Sequence, residues 1–310
     1  MDVHDSLRSP IVESNMATSP LSDLAQQERT RREILHKSDL IRPLPDVVVR
    51  VLGMLNDGKT EPGELEKHLQ VDQVIVAKLL GMVNSPFYGL SRTIKSVREA
   101  ITVLGFRGLR SLLLASNAAK YMNRDFRCYG HEAQGMLKHS FCVGSAARAL
   151  ANFVGLPADV REELFVAGLL HDIGKMLLVG YLEKHKCDLG KLAQDTCEYE
   201  MERIGIDHTE CGALVAAKWN LSQNIQDLLK GHHDLDCPEH LRAQMAVLRI
   251  SDAFAHELRI GFVPEMPIAT SFRQEDLAAL NLAGNRLAEA RARMDEAFGS
   301  ALDTMKTITS

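Results

Sequence analysis

Apolar residues recur at intervals of three and four along most of the chain, which is the period of α-helices that pack on a common core. No segment shows sustained alternation of apolar and polar residues, and no Asn-Gly pair marks a hairpin. The pattern therefore predicts an all-α fold, a multi-helix bundle. In the first half the predicted helices are Asp46–Leu55, Glu61–Gln70, Asp72–Val83, Ser96–Gly105 and Leu109–Tyr121.

The helical pattern continues through the second half. The predicted helices there are His131–Phe153, Glu162–Val179, Tyr181–Ile204, Asp207–Trp219, Ser222–His233 and Leu241–Leu258. After a loop over Ile260–Ser271, Leu277–Met305 is predicted to form one long amphipathic helix. Its apolar face would either pack back on the bundle or pair with a second copy of the chain, which would give a homodimer.

Four segments follow from this pattern. Residues 1–35 are polar and weakly patterned, which indicates a flexible N-terminal tail that ends in a helix through Gln26–Leu35. Residues 36–125 are predicted to form an N-terminal helical subdomain, packed on a second helical subdomain over residues 126–260. Residues 261–310 hold the loop and the C-terminal helix.

Composition narrows the class of protein. The chain has 310 residues, 45% of them hydrophobic, which is enough to bury a sizeable core. Its net charge of −5 argues against a general binder of nucleic acids or membrane surfaces. We expect no apolar run long enough to span a bilayer, and Met1–Pro20 lacks the features of a secretory signal. The expected location is the cytoplasm.

The cysteines do not suggest a zinc knuckle or a disulfide framework, because none of them forms a CxxC pair. We interpret them as scattered, reduced thiols. They are Cys128, Cys142, Cys187, Cys197, Cys211 and Cys237.

Histidines and aspartates at five places in apolar, helix-forming sequence are the candidate functional residues. They are His139, His171, Asp172, His208, His232, His233 and Asp252. A single inward histidine is more often a satisfied core residue than a ligand, and a single buried aspartate usually forms a cap or an ion pair. An apolar core offers few partners for so many such groups, so a metal is the most economical explanation.

The donor types indicate a transition metal rather than calcium. We expect two divalent ions, with Fe or Mn favoured and Zn, Ni or Co as alternatives. Asp172 is the expected bridging carboxylate, and His232 and His233 would bind one ion together with His208. Two such ions can position a phosphoryl group and activate a water molecule. Lys175, one turn beyond the His-Asp pair, would either hold a phosphate oxygen or pair with a nearby acid.

Across residues 38–260 the chain resembles HDOD (HD-related output domain) proteins of the HD superfamily of metal-dependent phosphohydrolases. The order of His139, His171-Asp172 and the distant Asp252 is that of the superfamily, and Ala167–Lys175 matches its central motif. The most specific stretch for HDOD proteins runs over Lys78–Leu90 and Ile94–Gly105. The Phe87-Tyr88 pair in it would plug the junction between the two subdomains or contact a ligand.

The resemblance implies an all-helical fold and a regulatory role in bacterial signalling. His208 and His232-His233 are also similar to HD-GYP phosphodiesterases, but no Gly-Tyr-Pro segment follows His233. We therefore expect a signalling module with a retained metal site that acts through a protein partner. The alternative is an active phosphohydrolase or phosphodiesterase on a nucleotide or cyclic dinucleotide, with Asp172 and Lys175 as its catalytic residues.

Overall fold

The structure, a computed structural model, describes residues 20–39, 44–57, 60–184, 187–234, 236–268 and 271–309. These residues form fifteen α-helices and no β-strand, apart from an isolated bridge between His131 and Phe262. The predicted all-α fold is confirmed. A single hydrophobic core runs through both predicted subdomains, so the two halves share their interior.

The first half agrees closely with the predicted helices. Asp72 and Ser96, at which two predicted helices begin, are N-caps, and their side chains accept hydrogen bonds from the first-turn backbone amides. The predicted break at Gly105 is present as a kink, where φ is 70°. The helices are α1 (Pro20–Asp39), α2 (Asp46–Asp57), α3 (Pro62–Leu69), α4 (Gln73–Val83) and α5 (Val97–Met122).

The expected tail corresponds in part to α1. This helix begins at Pro20, and residues 1–19 lie outside the described part of the chain. It is ordered by tertiary contacts: Ile34 is buried, and the Arg31 guanidinium lies 2.7 Å from the Glu210 carboxylate. The predicted helix through Gln26–Leu35 is therefore present, and it begins six residues earlier, at Pro20.

The loop between α4 and α5 holds the two subdomains together. The Asn84 side chain donates to the carbonyl groups of Leu80 and Ile94 and accepts from the Ile94 amide, which fixes the loop. The Phe87 ring then inserts beside Phe141 and Phe165, at centroid distances of 5.8 and 5.2 Å. The loop has the junction role that was one of its two predicted roles.

The second half differs from the predicted helices at three places. Helix α6 starts after His131, which lies in the bridge to Phe262. A turn at 171–174 divides Glu162–Val179. Tyr181–Ile204 is interrupted after Leu182 and again at Asp195, which caps the helix that follows it. The spacing of apolar residues does not reveal these breaks. The helices are α6 (Gly135–Phe153), α7 (Ala158–Leu170), α8 (Lys175–Leu182), α9 (Leu189–Gln194), α10 (Thr196–Ile204), α11 (His208–Lys218), α12 (Gln223–Gly231) and α13 (Arg242–Glu257).

The C-terminal region contains two helices rather than one. Helix α14 (Gln274–Ala279) ends before Leu280, and α15 (Gly284–Thr309) follows it. The stripe containing Met294 and Phe298 is buried, and α15 packs mainly against α6. Packing back on the bundle is thus the observed alternative, whereas a homodimer through this helix stays a prediction.

One apolar stretch is longer than expected. Ala158–Leu182 has the length and composition of a membrane span, contrary to our expectation for the sequence. In the structure, 78% of its most apolar window is buried inside the protein. The stretch forms α7, the turn and α8, so its apolar character is accounted for by burial in the core.

Helices α6 and α7 make backbone contact at two glycines. A Cβ atom on Gly168 would lie 2.7 Å from the Gly144 Cα atom, and one on Gly144 would lie 2.6 Å from the Phe165 carbonyl oxygen. No side chain fits between the helices there, so only glycine permits this approach. The two helices that lead to His139 and His171 are therefore held at a fixed, short spacing.

Candidate metal centre

Five helical elements bring all seven predicted ligands to one place in the second half of the chain. They are His139 from α6, His171 and Asp172 from the turn after α7, His208 at the start of α11, His232 and His233 just after α12, and Asp252 from α13. His139, His171, Asp172, His208 and His232 are all buried. His233 is partly exposed, and the Asp252 side chain is 14% exposed.

The turn that carries His171 and Asp172 depends on Gly174. A Cβ atom on Gly174 would lie 1.9 Å from the His208 carbonyl oxygen, so this residue must be glycine for α11 to approach the turn. Asp207 caps α11 by accepting from the Thr209 and Glu210 amides, as the sequence predicts. The cap and the glycine together place His208 opposite Asp172.

His171, His208 and His232 each direct one nitrogen without a hydrogen-bond partner toward the centre. The Nδ1 atoms of His171 and His232 lie 2.8 and 2.7 Å from the carbonyl oxygens of Gly168 and Leu229. His208 Nδ1 lies 2.7 Å from Glu200 Oε2. The Nε2 atoms of His171, His208 and His232 are buried and have no hydrogen-bond partner. Nδ1 held by an oxygen leaves Nε2 with its lone pair exposed, which is the arrangement found in metal-bound histidines.

Asp172 belongs to two groups of donor atoms. In the first group, one donor atom each from His139, His171 and Asp172 lie within 4.8 Å of one another. In the second group, one donor atom each from Asp172, His208 and His232 also lie within 4.8 Å of one another. Its Oδ1 lies 3.4 Å from His208 Nε2, and its Oδ2 lies 3.4 Å from His171 Nε2. A carboxylate with one oxygen toward each group has the placement that a bridging ligand needs.

A cation fits this set of donors. Orphaned buried nitrogens are costly unless they bind something, and carboxylates beside them supply negative charge. Burial lowers the pKa of His139 to about 4 and that of His233 to about 3, so both rings are neutral and able to act as ligands near pH 7. Burial likewise lowers the pKa of His232 well below its usual value.

His171 and its carboxylate neighbours are coupled electrostatically. Burial opposes its charge, but Asp172 and Asp252 outweigh that effect and raise the pKa of His171 to about 10. Burial would raise the pKa of Asp172, yet His171 and Lys175 hold it well below its usual value. A proton on His171 thus supplies positive charge where a cation would supply it, so metal binding must displace that proton.

Lys175 faces Asp172 and is closed off from solvent. Its Nζ atom lies 2.6 Å from Asp172 Oδ2 and 5.3 Å from the centre of the Tyr129 ring. Its exposed fraction is 6%. Of the two predicted alternatives, pairing with a nearby acid is the one the contacts support.

A small cavity of about 280 Å³ reaches the centre from one side. His232, His233, Asp252 and His256 border it. Two arginines also line it, but Arg249 forms a two-pronged ion pair with Asp276, at 2.9 and 2.5 Å, and Arg273 donates to the His233 carbonyl oxygen. Both arginines of the cavity wall are therefore already bound to other groups of the protein.

Sequence reasoning missed three residues of the centre. His256 lies 3.1 Å from Asp252 Oδ1, and its position one helical turn after Asp252 was a usable signal. Cys197 shares a donor group with His208 and His233. Glu200 is fully buried and holds His208, but nothing in its polar local sequence marks it.

Comparison with known proteins finds distant relatives of the chain. Ribonuclease Y from Pseudothermotoga lettingae is 29% identical over 219 residues, which are 68% of this chain and 36% of that protein. The chain spans less than half the length of the curated relatives it matches.

Two solved structures show that the fold is shared. A provisionally named phosphohydrolase from Shewanella amazonensis has a TM-score of 0.68 at 21% identity, with 89% of this chain and 97% of that chain covered. A provisionally named signal transduction protein from Marinobacter aquaeolei has a TM-score of 0.66 at 18% identity, with 94% of this chain and 66% of that chain covered. The family model of the HDOD domain matches residues 41–235, and the chain therefore belongs to the HDOD domain family.

Proposed function

We propose that this protein is a bacterial signal-transduction module that retains an HD-type centre for two divalent ions. The observation that carries the proposal is the set of three buried, unpartnered Nε2 atoms on His171, His208 and His232. Without metal, the Nε2 atoms of His171 and His208 would face only carboxylate oxygens 3.4 Å away, and His232 Nε2 would have no partner. Mixed imidazole and carboxylate donors suit Fe, Mn, Zn or Co, and Fe or Mn is our proposal among them.

A signalling role is favoured over hydrolysis by the surroundings of the centre. The adjoining cavity, about 280 Å³, is smaller than a typical small-molecule site. Lys175 is held by Asp172, and Arg249 is held by Asp276, so a phosphate would have to displace an existing ion pair to reach either cation. The metal would then stabilise a conformation that a protein partner in the cytoplasm recognises.

Hydrolysis is the second candidate, and the opening beside His233 and Asp252 favours it. Two bound divalent ions would polarise a phosphoryl oxygen and lower the pKa of a water molecule. The chain's own contribution would be positional: Glu200 orients His208, and the Leu229 carbonyl oxygen orients His232. The names of the Shewanella protein and of ribonuclease Y make phosphoesters, including RNA, the substrates to test.

Metal analysis and a substrate panel test both candidates. We expect about two transition-metal ions per purified chain. His208→Ala should lower this content, whereas His240→Ala, a change at an exposed histidine outside the centre, should not. A wild-type chain without metal would overturn both candidates.

The panel would contain p-nitrophenyl phosphate, nucleotides, cyclic dinucleotides and a short RNA. We expect no turnover by the metal-loaded protein under the signalling proposal. Turnover that disappears in Asp172→Ala, with His240→Ala unchanged, would overturn it in favour of hydrolysis. If turnover survives in Asp172→Ala, the assigned centre is not responsible for the activity.

A further inference from the structure

A second, larger cleft lies away from the metal centre. Its volume is about 850 Å³, and none of the seven predicted metal ligands lines it. It forms where the loop after α4 and the kinked region of α5 meet α6, α7 and α15, so both halves of the chain contribute to it. Neither the family assignment nor the proposed metal centre gives this cleft a role.

Four arginines line the cleft. They are Arg107, Arg148, Arg161 and Arg293. The lining also contains two acidic residues, Glu162 and Glu296, so the formal charge of the lining is +2, from four positive and two negative groups. A positively charged cleft on a chain with a net charge of −5 is a local reversal of sign, which attracts anionic ligands to this place.

Arg148 is held by Glu162 at 3.0 Å, whereas the partners of Arg107 and Arg293 are replaceable. Arg107 lies 3.5 Å from Asp159, and Arg293 lies 3.2 Å from Glu296; both arginine side chains are more than half exposed. Exposed ion pairs of this kind contribute little to stability. Each guanidinium has five N–H donors in a planar fork that matches phosphate oxygens, and a single carboxylate contact leaves most of them available.

The cleft also has an apolar side. Phe87, Leu104 and Phe153 line it, and all three are half-buried. The Arg148 guanidinium lies 5.0 Å from the centre of the Phe87 ring, so a cation and an aromatic surface occur together. The volume lies within the range of sites that enclose small molecules, and charge beside aromatic surface suits a phosphate joined to a planar, apolar group.

The cleft and the metal centre share two helices. Arg148 lies nine residues after His139 on α6, about 14 Å along the helix axis. Glu162 lies nine residues before His171, and α7 ends at the turn that carries His171. Gly144 and Gly168, which hold these helices in backbone contact, lie between the cleft and the metal centre on the two helices.

We propose that this cleft is a binding site for a phosphate-bearing small molecule of nucleotide size. The arginines bind the phosphate groups, and the surface formed by Phe87, Leu104 and Phe153 packs against the remainder of the ligand. This site is separate from the metal centre, and its existence does not depend on whether that centre performs catalysis.

Calorimetric titration of the 310-residue chain, as purified, tests this site. The probes are ATP, GTP and inorganic pyrophosphate, with adenosine as the uncharged comparison. We expect at least one phosphate-bearing probe to bind, adenosine not to bind, and added salt to weaken the affinity. Arg107→Glu combined with Arg293→Glu should weaken binding at least about tenfold, because two cations are replaced by anions.

Arg242→Glu is the matched control. Arg242 is 62% exposed, as is Arg293, and both pair with a glutamate three residues away. Arg242 does not line the cleft, so its variant should bind as the wild type does. Metal content is measured in every variant, which separates loss of this site from damage to the metal centre. The proposal is overturned if no phosphate-bearing probe binds, or if the cleft variant binds as tightly as the control.

Discussion

Glu200 binds His208 on the side of the ring away from the candidate metal centre, and its replacement by glutamine would measure how much this contact contributes to stability and metal affinity. The carboxylate accepts three hydrogen bonds, each 2.7 Å long: from the Tyr129 hydroxyl group, from the His208 amide and from His208 Nδ1. Glu200→Gln keeps the shape of the side chain but provides one oxygen and an NH₂ group. The amide oxygen can accept from His208 while the NH₂ group donates to the Tyr129 hydroxyl group, whose own hydrogen then loses its acceptor.

The size of the effect follows from burial. An unsatisfied buried donor costs about 1–3 kcal/mol, so the free energy of unfolding should fall by that amount. Loss of a group that orients a metal-bound histidine typically reduces metal affinity about 10- to 100-fold. That ratio corresponds to about 1.4–2.7 kcal/mol.

The assay is competition for Mn²⁺ or Zn²⁺ against a chromophoric chelator, together with urea unfolding. Glu198→Gln is the control, because Glu198 is on the same helix but exposed, and it should change neither quantity. If Glu200→Gln binds metal as tightly as the wild type while His208→Ala does not, then Glu200 does not orient His208, and the reasoning is wrong.

Three further outcomes are expected. Gly174→Ala should lower metal content and stability, because the added Cβ would lie 1.9 Å from the His208 carbonyl oxygen. Gly180→Ala, which has open space around the added Cβ, should lower neither. Metal analysis and urea unfolding measure both quantities. Burial lowers the pKa of His139 to about 4, and the unfolded ring titrates near 6.5. The unfolded chain therefore binds the extra proton, so the urea midpoint measured with a chelator present should fall as the pH drops from 6.5 to 4. Burial raises the pKa of Cys142 to about 12, so iodoacetamide at pH 8 should modify it only after unfolding, as mass spectrometry would show.

Helix starts were predictable from the sequence where the signal is local. Asp72, Ser96 and Asp207 each cap a helix through bonds to amides two or three residues away, which short sequence windows contain. The turn at 171–174 was not predicted, because apolar residues continue on both sides of it. What sets that turn is the contact of Gly174 with α11, which is distant in sequence.

The candidate metal centre also has residues that the local sequence reveals and residues that only the fold reveals. Histidines and aspartates in apolar helices are conspicuous, so all seven candidate ligands could be named from the sequence. Glu200 could not be, since its burial depends on Tyr129 and His208 closing over it in three dimensions. The contact of Lys175 with Asp172 was one of two alternatives, and only the fold decided between them.

The backbone contact between Gly144 and Gly168 bears on which ion the centre accepts. His139 and His171 extend from the two helices that this contact joins, so the gap between their rings cannot widen without separating the helices. A helix pair of fixed spacing discriminates between ions by radius, because each ion has its own preferred distance to its ligands. The selectivity for the metal ion would then depend on Gly144 and Gly168, whose side chains are single hydrogen atoms and which are not themselves ligands.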